Sequence, residues 1–337
     1  MRAAVLRGVF DVAVEDVPVP ECVSDSVLVR VKACGVCPVD VRVYTGENVW
    51  VPLPSVGVSG HEVAGVVEKV GENVSALKPG DRVAGTLSKP CGTCRYCVKG
   101  YENLCTNPLK PKVFGFAEYV VAYPGHVQRF RETIDFEEAV FTEPLAACIN
   151  CVERSGLHTG DWALVVGVGQ IGLMQVQLLK LMGAMVVAVD YSEERLRLAE
   201  MLGADVVVDA ADSNLVEKVR SLAGGEGVDF VSLTVGEGKA VETGFRCLAK
   251  RGVLNIFASL HGDGVVSVNL NKLHFGEYTL TGTYASTRGH INRAIQLIEK
   301  GLVKVRPLIT HRLPLEKLVE GFEIHRERKG VKVVVFP

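Results

Sequence analysis

Four cysteines stand in one short stretch, Cys91, Cys94, Cys97 and Cys105, at the spacing C-x2-C-x2-C-x7-C. Thiolates crowded on one polar loop are the ligand set of a closed tetrahedral zinc site, which leaves no position open and does no chemistry of its own. A [4Fe–4S] cluster uses the first part of the same spacing. The chain carries ten cysteines in all. A cluster of this kind in a reducing compartment reads as metal ligation rather than as disulfides. Cys148 and Cys151, one turn apart on an expected helix, read as core thiols.

Gly167-Val168-Gly169-Gln170-Ile171-Gly172 is a G-x-G-x-x-G. The apolar run Ala163-Leu164-Val165-Val166 precedes it and a helical pattern follows, which is the context a dinucleotide-binding loop requires. The first glycine permits the tight turn, the second lets backbone approach a pyrophosphate, and the third lets helix and strand pack closely. Phosphates would sit on the positive N-terminus of the helix that Gln170 and Ile171 open. Asp190 ends the next strand. Its carboxylate can accept from the adenosine ribose hydroxyls and would repel a 2′-phosphate, which points to NAD. Arg195, five residues on, could lie over the adenine or complicate that preference.

Three further residues offer a second metal centre: Cys37, His61 and Glu62, with Glu143 ahead of Pro144 at the apparent domain junction. Thiolate, imidazole and carboxylate are all zinc ligands, and a catalytic site uses about three of them and keeps one position for substrate or water. Taken singly, His61 reads as a buried histidine and Cys37 as a core thiol.

The elements that must position these groups differ along the chain. Up to about residue 140 the sequence is rich in Val, Gly and Pro, with short strand-like runs such as Val27-Leu28-Val29-Arg30-Val31 and turns such as Lys78-Pro79-Gly80-Asp81. After that it alternates strand and helix. Expected are a helix over 171–182, a strand over 185–189, a helix over 193–201 and a strand over 206–208. Further strands are expected over 230–233, 253–257 and 279–283, then a helix over 291–300 and a mixed tail. Such alternation means a parallel sheet with right-handed crossovers. The formal net charge is −2, with acids and bases interspersed, so neither a nucleic-acid surface nor a polybasic membrane patch is expected. The apolar stretch 163–189 is interrupted by glycines, glutamines and Lys180, which excludes a membrane span. The start lacks the pattern of a signal peptide, so a cytoplasmic location is expected.

Taken together, the ordered motifs resemble the zinc-containing medium-chain dehydrogenases of the alcohol dehydrogenase superfamily, within them the sorbitol and threonine dehydrogenase branch. The resemblance runs almost end to end. It rests on Cys34-Gly35-Val36-Cys37, Gly60-His61-Glu62, Lys78-Pro79-Gly80-Asp81-Arg82-Val83, the four-cysteine lobe, Phe116-Ala117-Glu118-Tyr119, Glu143-Pro144-Leu145, the glycine motif and Pro307-Leu308-Ile309-Thr310-His311. It implies an α/β protein: a GroES-like β-rich catalytic domain from residues 1–143 and 285–337, its structural zinc lobe at 91–105, and a Rossmann doubly wound parallel sheet domain at 144–284. It implies two zinc ions per subunit. The catalytic one would be held by Cys37, His61 and Glu62, with Glu143 as ligand or close neighbour; the structural one by Cys91, Cys94, Cys97 and Cys105. It implies NAD as hydride acceptor, a secondary alcohol such as a polyol or sugar as substrate, and a homodimer or homotetramer. L-threonine, butanediol or a simple alcohol are alternative substrates. A non-catalytic NAD-binding or redox-sensing protein is the alternative of another class. One departure bears on mechanism. Relatives carry Ser or Thr two residues after the zinc cysteine, and here that position is Val39; where a relay histidine is common stands Arg42. The proton is therefore expected to leave through water with Glu62 or Glu143.

Overall fold

A computed structural model of the protein describes residues 1–48 and 50–337. The chain divides into two units, Met1–Ala146 with Ser286–Pro337, and Ala147–Ala285. The first cut lies inside the helix Thr142–Val152.

In the first unit a seven-stranded sheet runs in the order Ile309–Pro314, Lys332–Phe336, Val27–Gly35, Glu62–Val70, Arg82–Gly85 and Val127–Arg129, with Tyr119–Ala122 also pairing on Val27–Gly35. A smaller sheet of three strands, Asp11–Asp16, Arg2–Gly8 and Ser55–Val56, lies in the same unit. The mixed tail expected after residue 300 resolves here. It supplies two strands of the larger sheet and the helix Leu318–Arg326, whose Phe322 packs edge-on against Phe116. Val27–Gly35 pairs antiparallel with Glu62–Val70 along most of its length, which sets Gly35 opposite Glu62, while Val334 of the strand Lys332–Phe336 pairs with Gly35 from the other side. Residues from both ends of the chain thus meet around Gly35.

The second unit holds a six-stranded sheet, all parallel, in the order Val206–Asp209, Met185–Asp190, Trp162–Val166, Val228–Leu233, Leu248–Ile256 and Thr279–Gly282. Numbered along the unit this is 3-2-1-4-5-6, the doubly wound order that makes a crevice at the carboxyl end of its first strand. Leu164, Val165 and Phe230 are fully buried, as strands covered on both faces require. The helix expected over 171–182 spans Gln170–Leu181, ending at Gly183 with φ +82°; the one over 193–201 spans Glu193–Met201. Three helices of this unit, Leu215–Leu222, Gly238–Cys247 and Leu270–Gly276, carried no expectation. Cys148 and Cys151 are buried thiols, as read. No helix among the described residues is long and apolar enough to cross a membrane.

Candidate active site

Cys37 follows the strand Val27–Gly35 and caps the helix Pro38–Tyr44 from an extended conformation, with Pro38 at the first helical position. Three residues on, Asp40 turns back: its Oδ2 accepts from the Cys37 backbone N–H at 2.9 Å. Its Oδ1 accepts from the Ser59 hydroxyl at 2.6 Å. Both Asp40 and Ser59 are fully buried. The His61 ring nitrogen Nδ1 lies 2.9 Å from the Ser59 carbonyl oxygen and 3.7 Å from Asp40 Oδ1. A carbonyl can only accept, so Nδ1 carries the proton and Nε2 is left as an acceptor, the arrangement that orients a metal-bound histidine.

Glu62 opens the next strand and is fully buried. Its Oε2 pairs with Lys332 Nζ, whose side chain is equally inaccessible and which also donates to the Val36 carbonyl at 3.0 Å. The pair lies over Gly35, where an added Cβ would come within 2.1 Å of Glu62 Oε2; only glycine leaves that space. The other carboxylate oxygen, Oε1, is buried with no partner among the described residues. Ligand atoms of Cys37, His61 and Glu62 all fall within 4.8 Å of one another. A sulfur, an imidazole nitrogen and a carboxylate oxygen converging in this way fit a zinc ion. Glu143, in the first turn of the helix Thr142–Val152, stands outside this trio but close enough to His61 to feel its charge.

The titration behaviour follows from burial and crowding. Burial pushes the Cys37 thiol up, and His61 opposes it. Burial pushes His61 down, but Cys37, Asp40 and Glu143 together raise it well above the ordinary histidine value. Glu62 and Glu143 are both raised by burial, with His61 and Lys332 offsetting part of the effect. A divalent cation at the centre would favour the thiolate and both carboxylates at once.

Asp40, Ser59 and Lys332 were not singled out from the sequence. Asp40 had a signal, an acid three residues after a helix-capping position. Ser59 and Lys332 had none.

The four-cysteine lobe is assembled by a short helix, Arg95–Val98, and a turn at Glu102–Leu104. Its thiols are free, and all four sulfurs lie within 4.8 Å of one another. Cys94 Sγ is 3.5 Å from Cys97 Sγ and 3.9 Å from Cys105 Sγ. Sulfurs about 2.3 Å from a tetrahedral zinc would be about 3.8 Å apart, so the group needs little adjustment to close on the ion. Backbone N–H groups already point at the sulfurs: Cys94 N–H donates to Cys91 Sγ, and Cys91 N–H to Cys105 Sγ, each at 3.3 Å. Backbone donors from Cys97 and Thr106 bring the Cys94 thiol down to about 5.

In the second unit Gly167 ends the first strand's turn at φ +88°. A Cβ on Gly172 would lie 2.0 Å from the Gly167 carbonyl, so helix and loop touch only because that residue is glycine. A Cβ on Gly169 would meet no protein atom within 4 Å; that face of the loop is open to a ligand. Gln170 and Ile171 begin the helix. Asp190 does more than end a strand. Its Oδ2 accepts from Val168 N–H at 2.8 Å and its Oδ1 from Ser192 N–H at 2.9 Å, so it braces the glycine loop. A carboxylate has lone pairs left for a ribose hydroxyl. Arg195 lies in the first turn of the following helix, its N–H donating to the capping Ser192 hydroxyl at 3.3 Å.

Residues 23–132 match the family model described as an alcohol dehydrogenase GroES-like domain, and residues 171–300 the one described as a zinc-binding dehydrogenase. An L-threonine 3-dehydrogenase of Bacillus subtilis (strain 168) is 35% identical, over 98% of this chain and 96% of its own. The chain belongs to the zinc-binding dehydrogenases. It is also 31% identical to a sorbitol dehydrogenase of Bombyx mori, over 99% of this chain and 97% of that one. Among solved structures, a protein of Sinorhizobium meliloti 1021 assigned as a zinc-binding dehydrogenase and solved bound to NADP superposes with a TM-score of 0.93. It is 31% identical and covers 100% of this chain and 99% of its own. This dehydrogenase is an oxidoreductase of the alcohol, polyol and threonine dehydrogenase group. Its four-cysteine cluster and its Cys37–His61–Glu62 trio fit a structural and a catalytic zinc.

Proposed function

We propose that this dehydrogenase oxidises a secondary alcohol, a polyol or sugar, with NAD as the hydride acceptor. The observation that carries the reading is the convergence of ligand atoms from Cys37, His61 and Glu62 within 4.8 Å of one another, with Glu62 Oε2 paired to Lys332 and Oε1 buried without a partner among the described residues. Cys37, His61 and Glu62 are the residues that would hold a catalytic zinc, and Cys91, Cys94, Cys97 and Cys105 a structural one. A zinc so held would supply Lewis acidity to the substrate oxygen and would ease loss of its proton. Bound NAD would supply the hydride acceptor, and Asp190 would favour it over NADP by meeting the ribose hydroxyls with a carboxylate.

The chain's own residues do the rest. Ser59 and Asp40 fix the His61 tautomer and ring. Lys332 keeps Glu62 in place. The Val39 side chain has no exchangeable proton, so the hydroxyl proton passes to Glu143, beside His61, or to Glu62. All ten cysteines are free thiols, which suits the reducing cytoplasm. The partners we propose are a small-molecule alcohol and a second copy of the chain, in a homodimer or homotetramer.

A second reading, L-threonine 3-dehydrogenase, is favoured by the relative at 35% identity. The test is the rate of NAD and NADP reduction by the zinc-loaded protein with polyols, sugars, L-threonine, butanediol and simple alcohols. A rate with NAD on a polyol or sugar, abolished by a chelator, supports the first reading; a rate on L-threonine alone supports the second. Binding of nucleotide with no turnover of any alcohol would leave a non-catalytic nucleotide-binding protein.

A further inference from the structure

Three glutamines lie on the helix Gln170–Leu181 and are buried. Gln177 Nε2 donates to the Leu173 carbonyl at 3.3 Å, and Gln175 Oε1 accepts from the Ser232 hydroxyl at 2.6 Å. Gln170 is different. It is 7% exposed, and neither its Oε1 nor its Nε2 has a partner among the described residues. An amide taken from water without either bond is costly, and native chains keep few of them without a reason.

Its place supplies a reason. Gln170 is the first residue of the helix, directly after the capping Gly169. Side chains tilt toward a helix's N-terminus, which inclines the Gln170 side chain toward the end where the first N–H groups lack intrahelical acceptors. On the same end, the surface of Gly169 is open. Whatever completes Gln170 must accept one hydrogen bond and donate another. A diphosphate oxygen accepts, and a ribose hydroxyl beside it donates.

We propose that the Gln170 side chain, and not only the backbone of its loop, binds the dinucleotide: Nε2–H donates to the diphosphate and Oε1 accepts from a flanking ribose hydroxyl. This rests on the reading of the second unit as a nucleotide site and deepens it. It makes Gln170 a binding residue that contributes affinity at the diphosphate, while Asp190 selects at the adenosine ribose.

The test is calorimetric binding of NADH and ADP-ribose to the full-length zinc-loaded protein, comparing wild type with Gln170→Met and Gln170→Glu, together with the unfolding midpoint of each protein without nucleotide. Methionine fills the same volume without polar atoms. It should weaken both ligands about tenfold or more, the loss typical of a buried bond to a charged group, while the nucleotide-free midpoint stays level or rises. Glutamate, which sets a carboxylate against the diphosphate, should weaken them further. Affinities within twofold of wild type in both variants would overturn the proposal and leave the nucleotide reading standing. A lowered midpoint with unchanged affinity would do the same and make Gln170 a structural residue. If wild type binds neither ligand, the nucleotide reading itself fails, and this inference with it.

Discussion

The cysteine lobe draws its four ligands from the stretch Cys91–Cys105, and the groups that prepare its sulfurs are backbone N–H donors from that stretch and the adjoining Thr106. The Cys37–His61–Glu62 centre is assembled otherwise. Its ligands come from two segments, and their supports, Asp40, Ser59 and Lys332, are fully buried, the last of them 270 residues from the carboxylate it holds. A closed site can be local because the ion itself holds four ligands together. A site that keeps a position open has fewer bonds to the metal, so the protein must hold each ligand in place. Rigidity that the lobe obtains from its ion, the open centre obtains from its scaffold.

The sharpest way to break this contrast is to remove one cysteine from each centre. Cys37→Ser should cost at least about a thousandfold in turnover, since a metal Lewis acid supplies several kcal/mol of transition-state stabilisation. It should release one zinc per chain and leave the unfolding midpoint near wild type. Cys94→Ser should release the other zinc and lower the midpoint, because there the metal does the folding. Metal analysis and thermal unfolding of the two variants check this pair of outcomes.

Next in size is the scaffold. Lys332→Met strands a buried carboxylate, and breaking a buried pair from one side costs about 3–5 kcal/mol. The zinc-free protein should show that loss in its unfolding midpoint. Adding Glu62→Gln should recover most of the stability but not the zinc affinity. If the single variant were as stable as wild type, the pair would not be the support described.

A smaller effect is expected at the proton route. Glu143→Gln should retain both zinc ions and lower turnover by about a hundredfold, the lower range for loss of a general base. Unchanged turnover and pH profile would assign the proton to Glu62.

Last comes the tie between the lobe and the rest of its unit. Arg288 Nε donates to Glu102 Oε1 at 2.7 Å, and the neighbouring His126 is 7% exposed. Burial, helped by the Arg288 charge, lowers His126 to about 4. The unfolded chain takes up that proton near pH 6.5 and the fold only near 4, so stability is complete above the first value and falls as pH drops through the window between them. The loss is of the order of 3 kcal/mol. His126→Asn should flatten this part of a stability–pH curve without touching the zinc of the open centre.

The same contrast explains what could be read in advance. The lobe and the glycine loop are contiguous, so residue types and spacing carried their chemistry, and the parallel sheet followed from alternating strands and helices. Cys37, His61 and Glu62 were joined with force only by the family resemblance, because nothing in their spacing states that the strands Val27–Gly35 and Glu62–Val70 pair with Gly35 opposite Glu62. Lys332 was illegible. At the head of Lys-Val-Val-Val-Phe it reads as the solvated start of a strand, and only long-range pairing buries it. The helices Leu215–Leu222 and Gly238–Cys247 lie among strands whose apolar runs dominated the reading.

The most direct test follows zinc content and NAD-reduction rate together while the wild-type protein, with its best alcohol, is titrated with a chelator. The account predicts that activity falls in step with the loss of one zinc per chain, from the open centre, while the second stays bound in the lobe and the fold persists. Activity that survives the first loss, or two ions that leave together as the protein unfolds, would contradict it.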